Sequence, residues 1–198
     1  EALSYTWGEP DFSEAIRIND GFLPITPNLS SALKRFRSRT QTRLLWVDAI
    51  CIDQDHLEEK SSQVAIMAEI YQQANKVLGW LGDGDSDTKR ALEHLHDVAE
   101  AAPGFGLDAN IGPKVFIGAP EKRLSGGEDK AKALILAANE HKLHAIYGRA
   151  WFARLWIAQE VVLAKDLTLY CGRSEIEWGI FAAAVILLSS AQITVPHS

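Results

Sequence analysis

Leu44-Leu45-Trp46-Val47-Asp48-Ala49-Ile50-Cys51-Ile52 is nearly continuous apolar sequence, and Val77-Leu78-Gly79-Trp80-Leu81 repeats the pattern further along. A strand covered on both faces of a parallel sheet reads this way, because neither side of its pleat meets water. The first run predicts a strand over 44–52, closed by Asp53-Gln54, and the second a strand over 76–81. Leu3, Tyr5 and Trp7 alternate with Ser4 and Thr6, which predicts a strand over 2–7 delivering Trp7 to its carboxyl end. These three strands are expected side by side and parallel in the sheet core.

The segments between them read as helices and turns. Asn19-Asp20-Gly21 joins Ile16-Arg17-Ile18 to Phe22-Leu23 as a hairpin turn. Thr26 caps a helix with Pro27 at its first position and Leu29, Ala32, Leu33 and Phe36 as the inner stripe. Asp55 with Glu58 resembles a capping box ahead of a helix that turns Val64, Met67, Ile70, Tyr71 and Ala74 inward. A further helix carries Ala91, Leu92, Leu95, Val98 and Ala99. Periodicity disappears from Pro103 to Gly127, as in an insertion, a lid or a mobile segment, before a helix from about Asp129 to Tyr147 that Gly148 stops. Leu167–Cys171 is a strand that Gly172-Arg173-Ser174 turns towards Ile176-Glu177-Trp178, a hairpin at a sheet edge, and an apolar helix covers Phe181 to Ala191. The pattern is α/β, a mainly parallel sheet flanked by helices and wound by right-handed crossovers.

A chain of 198 residues with 47% hydrophobic and 23% charged residues fits one domain over 1–198, the irregular insertion at 103–127 included. A net charge of −6 argues against general attraction to nucleic acid or to an anionic membrane. Lys34, Arg35, Arg37 and Arg39 cluster, but at a predicted helix end, where cations complement the dipole. No apolar run reaches membrane-spanning length. Cys51 and Cys171 are expected as buried thiols inside strands, in a reducing cytoplasm. From the start at Glu1-Ala2-Leu3-Ser4, inside an expected strand and without an initiator Met, a domain excised from a longer protein is expected.

Several chemistries drop out. Gly82-Asp83-Gly84 follows a strand but completes no phosphate loop, and its aspartate would repel one. Asp83, Asp85 and Asp87 begin with calcium-loop spacing, but Thr88 and His94 stand where the loop needs Gly and Glu, so helix capping is the better reading. His141 and His144 share a helix face and read as solvated side chains, so no metal site is expected.

Trp151-Phe152-Ala153-Arg154-Leu155-Trp156-Ile157-Ala158-Gln159-Glu160 has helical periodicity and predicts one helix through Leu163. At ~100° per residue its apolar side chains surround most of the axis, so the helix is expected to be buried, with Trp156 and a shielded Glu160. Trp46 and Trp80 are expected in the core as well. A buried carboxylate needs a partner. Two readings of Glu160 stand: a structural one, as an ion pair with Arg154 or Arg149 or a cap on a neighbouring loop, and an acid or ligand-hydroxyl acceptor in a cleft.

Together these pieces resemble the fungal HET (heterokaryon incompatibility) domain. The resemblance is carried by Ala2-Leu3-Ser4-Tyr5-Thr6-Trp7-Gly8, by Leu45 to Gln54, and by Glu59, Gln63-Val64, Met67, Ile70-Tyr71, Ala74 and Val77. It continues through Trp80-Leu81-Gly82, Arg149, Trp151-Phe152, Arg154, Trp156, Gln159-Glu160 and Cys171-Gly172. It implies a domain of self/non-self recognition whose activation triggers programmed cell death. HET domains are in turn similar to TIR domains, which implies a flavodoxin-like fold with insertions. Some TIR domains cleave NAD at the nicotinamide–ribose bond with a helical glutamate that often follows a Trp by four residues. Trp156 and Glu160 have that spacing, which implies Glu160 as the catalytic residue.

On the enzymatic reading no cofactor is required and NAD is the substrate. Trp7 and Gly8 lie at a strand's carboxyl end, where open α/β sheets place ligands. The indole of Trp7 would stack on a flat ring, Gly8 would let the backbone approach, and Trp156 would lie beside Glu160. Asp48 either reaches the same edge or is an interior structural carboxylate. The alternative is a death-signalling adaptor that works by self-association, with Glu160 only paired to an arginine. Expected partners are further copies of the domain, other domains of the parent protein or a death-signalling protein.

Overall fold

The computed structural model describes residues 1–101, 133 and 143–194. The insertion expected over 103–127, and all but the last turn of the helix expected before Gly148, lie outside them. The described residues belong to two compact units: Glu1–Asp83 with Arg149–Arg173, and Gly84–Gly148 with Ser174–Ser198.

The first unit is built on three buried strands. β1 (Ala2–Tyr5) pairs in parallel with β4 (Val77–Trp80), which pairs in parallel with β5 (Leu167–Cys171). Every residue of the three is buried, on both faces of the pleat; in β1 this includes Ser4, whose alternation with Leu3 and Tyr5 marks no solvent-facing side. Gly79 is the packing concession, since a Cβ there would come within 2.7 Å of Leu169 Cδ2. The expected α/β class with a largely parallel sheet is what the chain forms.

The covering elements follow local chemistry. β2 (Glu14–Ile18) and β3 (Gly21–Ile25) form the expected antiparallel hairpin, turned at Asn19 with φ of 50°. α1 (Pro27–Phe36) is capped by Thr26, whose hydroxyl accepts from Leu29 N. It buries Leu29, Ala32 and Phe36 in a cluster with Leu3, Tyr5, Leu78 and Trp80. α3 (Leu57–Gln73) starts at a cap the sequence pattern misplaced: His56 Nδ1, not Asp55, accepts from Glu59 N. Of its expected inner residues Tyr71 is buried, its hydroxyl donating to the Leu3 carbonyl at 3.1 Å, while Val64, Met67 and Ile70 are half-buried.

The strand expected over 44–52 is not formed. Trp46 alone makes a rung beside β1, bridging Ala2, with Leu3 N donating to its carbonyl at 2.9 Å. The chain then turns into a one-turn helix, α2 (Asp48–Cys51). Asp48 is the cause: its Oδ1 accepts from Ala49 N at 2.7 Å, an arrangement for a helix's first turn and not for a sheet interior. Cys51 is consequently exposed, whereas Cys171 in β5 is buried as expected.

In the second unit α4 (Ser86–Ala101) buries Ala91, Leu92, Leu95, Val98 and Ala99 as predicted. Asp85 caps it, accepting from Thr88 N at 2.8 Å while Thr88 Oγ1 accepts from Asp85 N at 2.7 Å. α5 (His144–Tyr147) and β6 (Ser174–Glu177) belong to the same unit. So does the apolar C-terminal helix over Trp178–Thr194, which packs on α4 and buries Ala184 and Leu187. Among the described residues no helix is long and apolar enough to cross a membrane.

Candidate functional site

Beyond Tyr5 the backbone leaves β1 through Thr6-Trp7-Gly8. Gly8 adopts φ of 76°, a conformation an L side chain resists, and it turns the chain off the sheet edge. The loop is tied to the core. Asn28 Nδ2 donates to the Thr6 carbonyl at 2.6 Å, and Asn28 Oδ1 accepts from the buried Trp80 Nε1 at 2.9 Å. The Trp7 indole projects with 39% of its surface exposed, and its Nε1 donates to Asp48 Oδ2 at 2.9 Å. Gln54 Nε2 steadies α2 by donating to the Asp48 carbonyl at 3.0 Å.

These groups open on a cleft of about 560 Å³ in the first unit. All the residues expected to bind substrate, Trp7, Gly8, Asp48 and Trp156, line it, with Gln54, Arg154 and the α3 residues Lys60, Val64 and Met67. It lies past the carboxyl end of β1, the side on which open parallel sheets take ligands. Among the described residues no group of acidic, His or Cys side chains could hold a metal ion.

Glu160 sits behind the cleft wall, 1% exposed. Arg154 grips it with both ends, Nη2 to Oε1 at 2.9 Å and Nη1 to Oε2 at 3.0 Å. Ser4 Oγ donates to the same Oε2. Trp151 Nε1 donates to Ser4 Oγ at 2.7 Å, so the buried indole orients the hydroxyl. Of the two arginines considered, Arg154 is the partner, and Arg149 instead donates to the Asp83 carbonyl at 2.8 Å.

This pairing exists because the helix expected over 151–163 is broken. A 3₁₀ turn covers Ala150–Ala153, Arg154 is extended with φ −75° and ψ 134°, and α6 (Ile157–Leu163) begins after Trp156. In one continuous helix, residues six apart would point about 120° away from each other and lie ~9 Å apart along the axis, which does not suit a bidentate pair. The extended Arg154 lets its guanidinium come back onto Glu160. The same break puts Trp156 at the open start of α6, 44% exposed, and Leu155 87% exposed. The expected burial of Trp156 is therefore overturned. Trp80 is 1% exposed as expected. Trp46 is half-buried, edge-on to Tyr71 at 5.7 Å.

Burial pushes the Asp48 carboxyl above the ordinary aspartate range, opposed by the bonds from Trp7 and Ala49 and by the charge of Arg154. Burial, with Asp48 nearby, also pushes the Tyr5 hydroxyl well up. An aspartate whose folded pKa is raised binds its proton more tightly when folded, so ionisation costs stability. That cost is absent below the ordinary value of 3.8, grows as pH rises through the window above it, and then levels off. Asp48→Asn should gain on the wild type across that window, read from thermal melts at a series of pH values. A constant difference at every pH would show that burial of the charge is not what Asp48 contributes.

Sequence reasoning assigned no place in the cleft to Arg154, Lys60 or Gln54. Lys60 and Gln54 lie near Val64 and Asp48 in sequence, but the turn at Asp48–Cys51 that leads the chain past the cleft reads as part of a strand over 44–52. For Arg154 no signal marks the break, because the periodicity of 151–163 runs straight through it.

Comparison with known proteins places this geometry in a family. The family model for Heterokaryon incompatibility protein (HET) matches residues 1–160, which include both the Trp7–Asp48 edge and the Arg154–Glu160 pair. The chain belongs to the HET family. It is also similar to "Heterokaryon incompatibility protein 6, OR allele" of Neurospora crassa, with 33% identity over 195 residues, 86% of this chain and 28% of that protein. The chain thus spans well under half the length of that relative. No solved structure matches it.

Proposed function

We propose that this chain is an effector domain of fungal heterokaryon incompatibility and the cell death that follows, and that its cleft binds NAD and cleaves the nicotinamide–ribose bond. The observation that carries the reading is the convergence of Trp7, Gly8, Asp48, Trp156 and Arg154 on one cleft at the sheet's carboxyl edge. The indoles are surfaces for a flat ring, and Asp48 is a carboxylate for ribose hydroxyls and for a developing positive charge. In the reaction the C–N bond breaks with its electron pair going to nicotinamide, which leaves neutral. Water adds to the oxocarbenium centre and gives up a proton, leaving ADP-ribose. Glu160, sealed from the cleft, serves this chemistry by holding Arg154. The domain works in the cytoplasm, self-associated and joined to the other domains of its parent protein.

A second reading is a non-enzymatic adaptor acting by self-association, favoured by the complete engagement of both Glu160 oxygens by Arg154 and Ser4. Concentrated, artificially clustered domain incubated with NAD should release nicotinamide, and Asp48→Asn and Glu160→Gln should each reduce the release at least tenfold. Intact NAD alongside undiminished cell killing would leave the adaptor.

A further inference from the structure

We infer that the side-on edge of the Arg154 guanidinium is an oxyanion site in the cleft, taking a phosphate of a nucleotide whose sugar hydroxyls face Asp48. This rests on the cleft being the nucleotide site proposed above.

A guanidinium has five N–H donors arranged as two forks, one across Nη1 and Nη2 and one across Nε and Nη2. Glu160 fills the first fork at 2.9 and 3.0 Å, and the other Nη1 hydrogen goes to Ser4 Oγ at 3.3 Å. The second fork, Nε–H and the remaining Nη2–H, has no partner among the described residues. Arg154 is a wall of the cleft and 18% exposed along its side chain, and with the first fork turned inward to Glu160 the open fork is assigned to the cleft side. Its orientation is set from behind by a carboxylate that is 2% exposed and itself held by Ser4. A cation clamped in this way is pre-organised and loses little entropy when it takes a bidentate oxyanion.

The surrounding charge narrows the ligand. Asp48 and Glu160 balance Arg154 and Lys60, so the site has no net positive field to hold a bare anion. Asp48 would repel one, yet with Trp7, Ala49 and Tyr5 bonded to it the carboxylate still keeps a lone pair for a hydroxyl donor. A ligand that satisfies both groups carries an oxyanion for the fork and hydroxyl donors for Asp48. A flat ring against Trp7 or Trp156 completes the set. Phosphorylated nucleosides have that composition, and unphosphorylated ones lack the oxyanion.

The test is calorimetric titration of the intact domain with AMP and with adenosine. AMP is expected to bind at least tenfold more tightly, the scale of a bidentate charge-assisted pair. Arg154→Lys, which keeps the charge and loses the fork, should collapse that ratio in protein whose melt shows it folded. Equal binding of AMP and adenosine would overturn the oxyanion site. So would an unchanged ratio in folded Arg154→Lys, or no binding of either compound at millimolar concentration. If the lysine variant does not fold, the wild-type ratio decides alone. Nicotinamide release from NAD is scored separately, so failure of the phosphate site and failure of the NAD reading are told apart.

Discussion

Arg154→Leu should lower the free energy of unfolding by roughly 3–5 kcal/mol, and Glu160→Gln by only about 1–3 kcal/mol. The asymmetry comes from where each member of the pair sits. Removing the guanidinium strands a carboxylate whose side chain is 2% exposed, with the Ser4 hydroxyl as its remaining partner. Removing the carboxylate's charge leaves Arg154 at the cleft wall, 18% exposed, where water enters and replaces part of what is lost. The amide oxygen of glutamine still accepts one of the two bonds. Urea melts of the two variants and of Arg154→Leu/Glu160→Leu would read this directly. The double variant should recover much of the loss, because nothing charged is left buried. Losses below about 1 kcal/mol in both single variants would mean that the pair is not shielded from water.

Trp80→Ala should cost about 3–5 kcal/mol, while Trp156→Ala should cost no more than about 1 kcal/mol. Trp80 is 1% exposed in the middle strand of the first unit and stands edge-on to Phe36 at 6.1 Å. Its Nε1 also holds Asn28, which holds the Thr6 carbonyl, so its loss should loosen the loop carrying Trp7. Against a total stability of about 5–15 kcal/mol such a variant is close to unfolding, and lost function in it would say nothing about chemistry. Trp156, 44% exposed at the cleft rim, has little burial to lose. A destabilised Trp156→Ala would place its indole in the core after all, and ligand affinity, not the melt, is where its effect should register.

The sequence by itself determined the elements that depend on near neighbours. The hairpin at Asn19, the Thr26-Pro27 helix start and the Asp85–Thr88 cap are set within a few residues by side chain–backbone bonds. The run at Val77–Trp80 is apolar enough to demand burial on both faces, as in a parallel sheet, and the alternation at Ala2–Tyr5 marks the strand beside it. Trp7, Gly8, Asp48 and Trp156 were legible as candidate binding residues, the first two from their place after a strand.

Tertiary structure decided what depends on partners far along the chain. Leu44–Ile52 carries the apolarity of a strand, yet Asp48, met by the Trp7 indole 41 residues away, lies in a helical turn, and within that run Trp46 alone bridges β1 among the described residues. Trp151–Leu163 carries the periodicity of one helix, yet Ser4, from β1, stands where it bonds both Arg154 and Glu160, 156 residues away in the latter case. A buried carboxylate must find a cation, and the bidentate pair it gains outweighs the few helical bonds lost at Arg154. Periodicity measures the average side a residue faces; it carries no information about which distant charge arrives there, and that arrival put Glu160 behind the cleft and Arg154 in it.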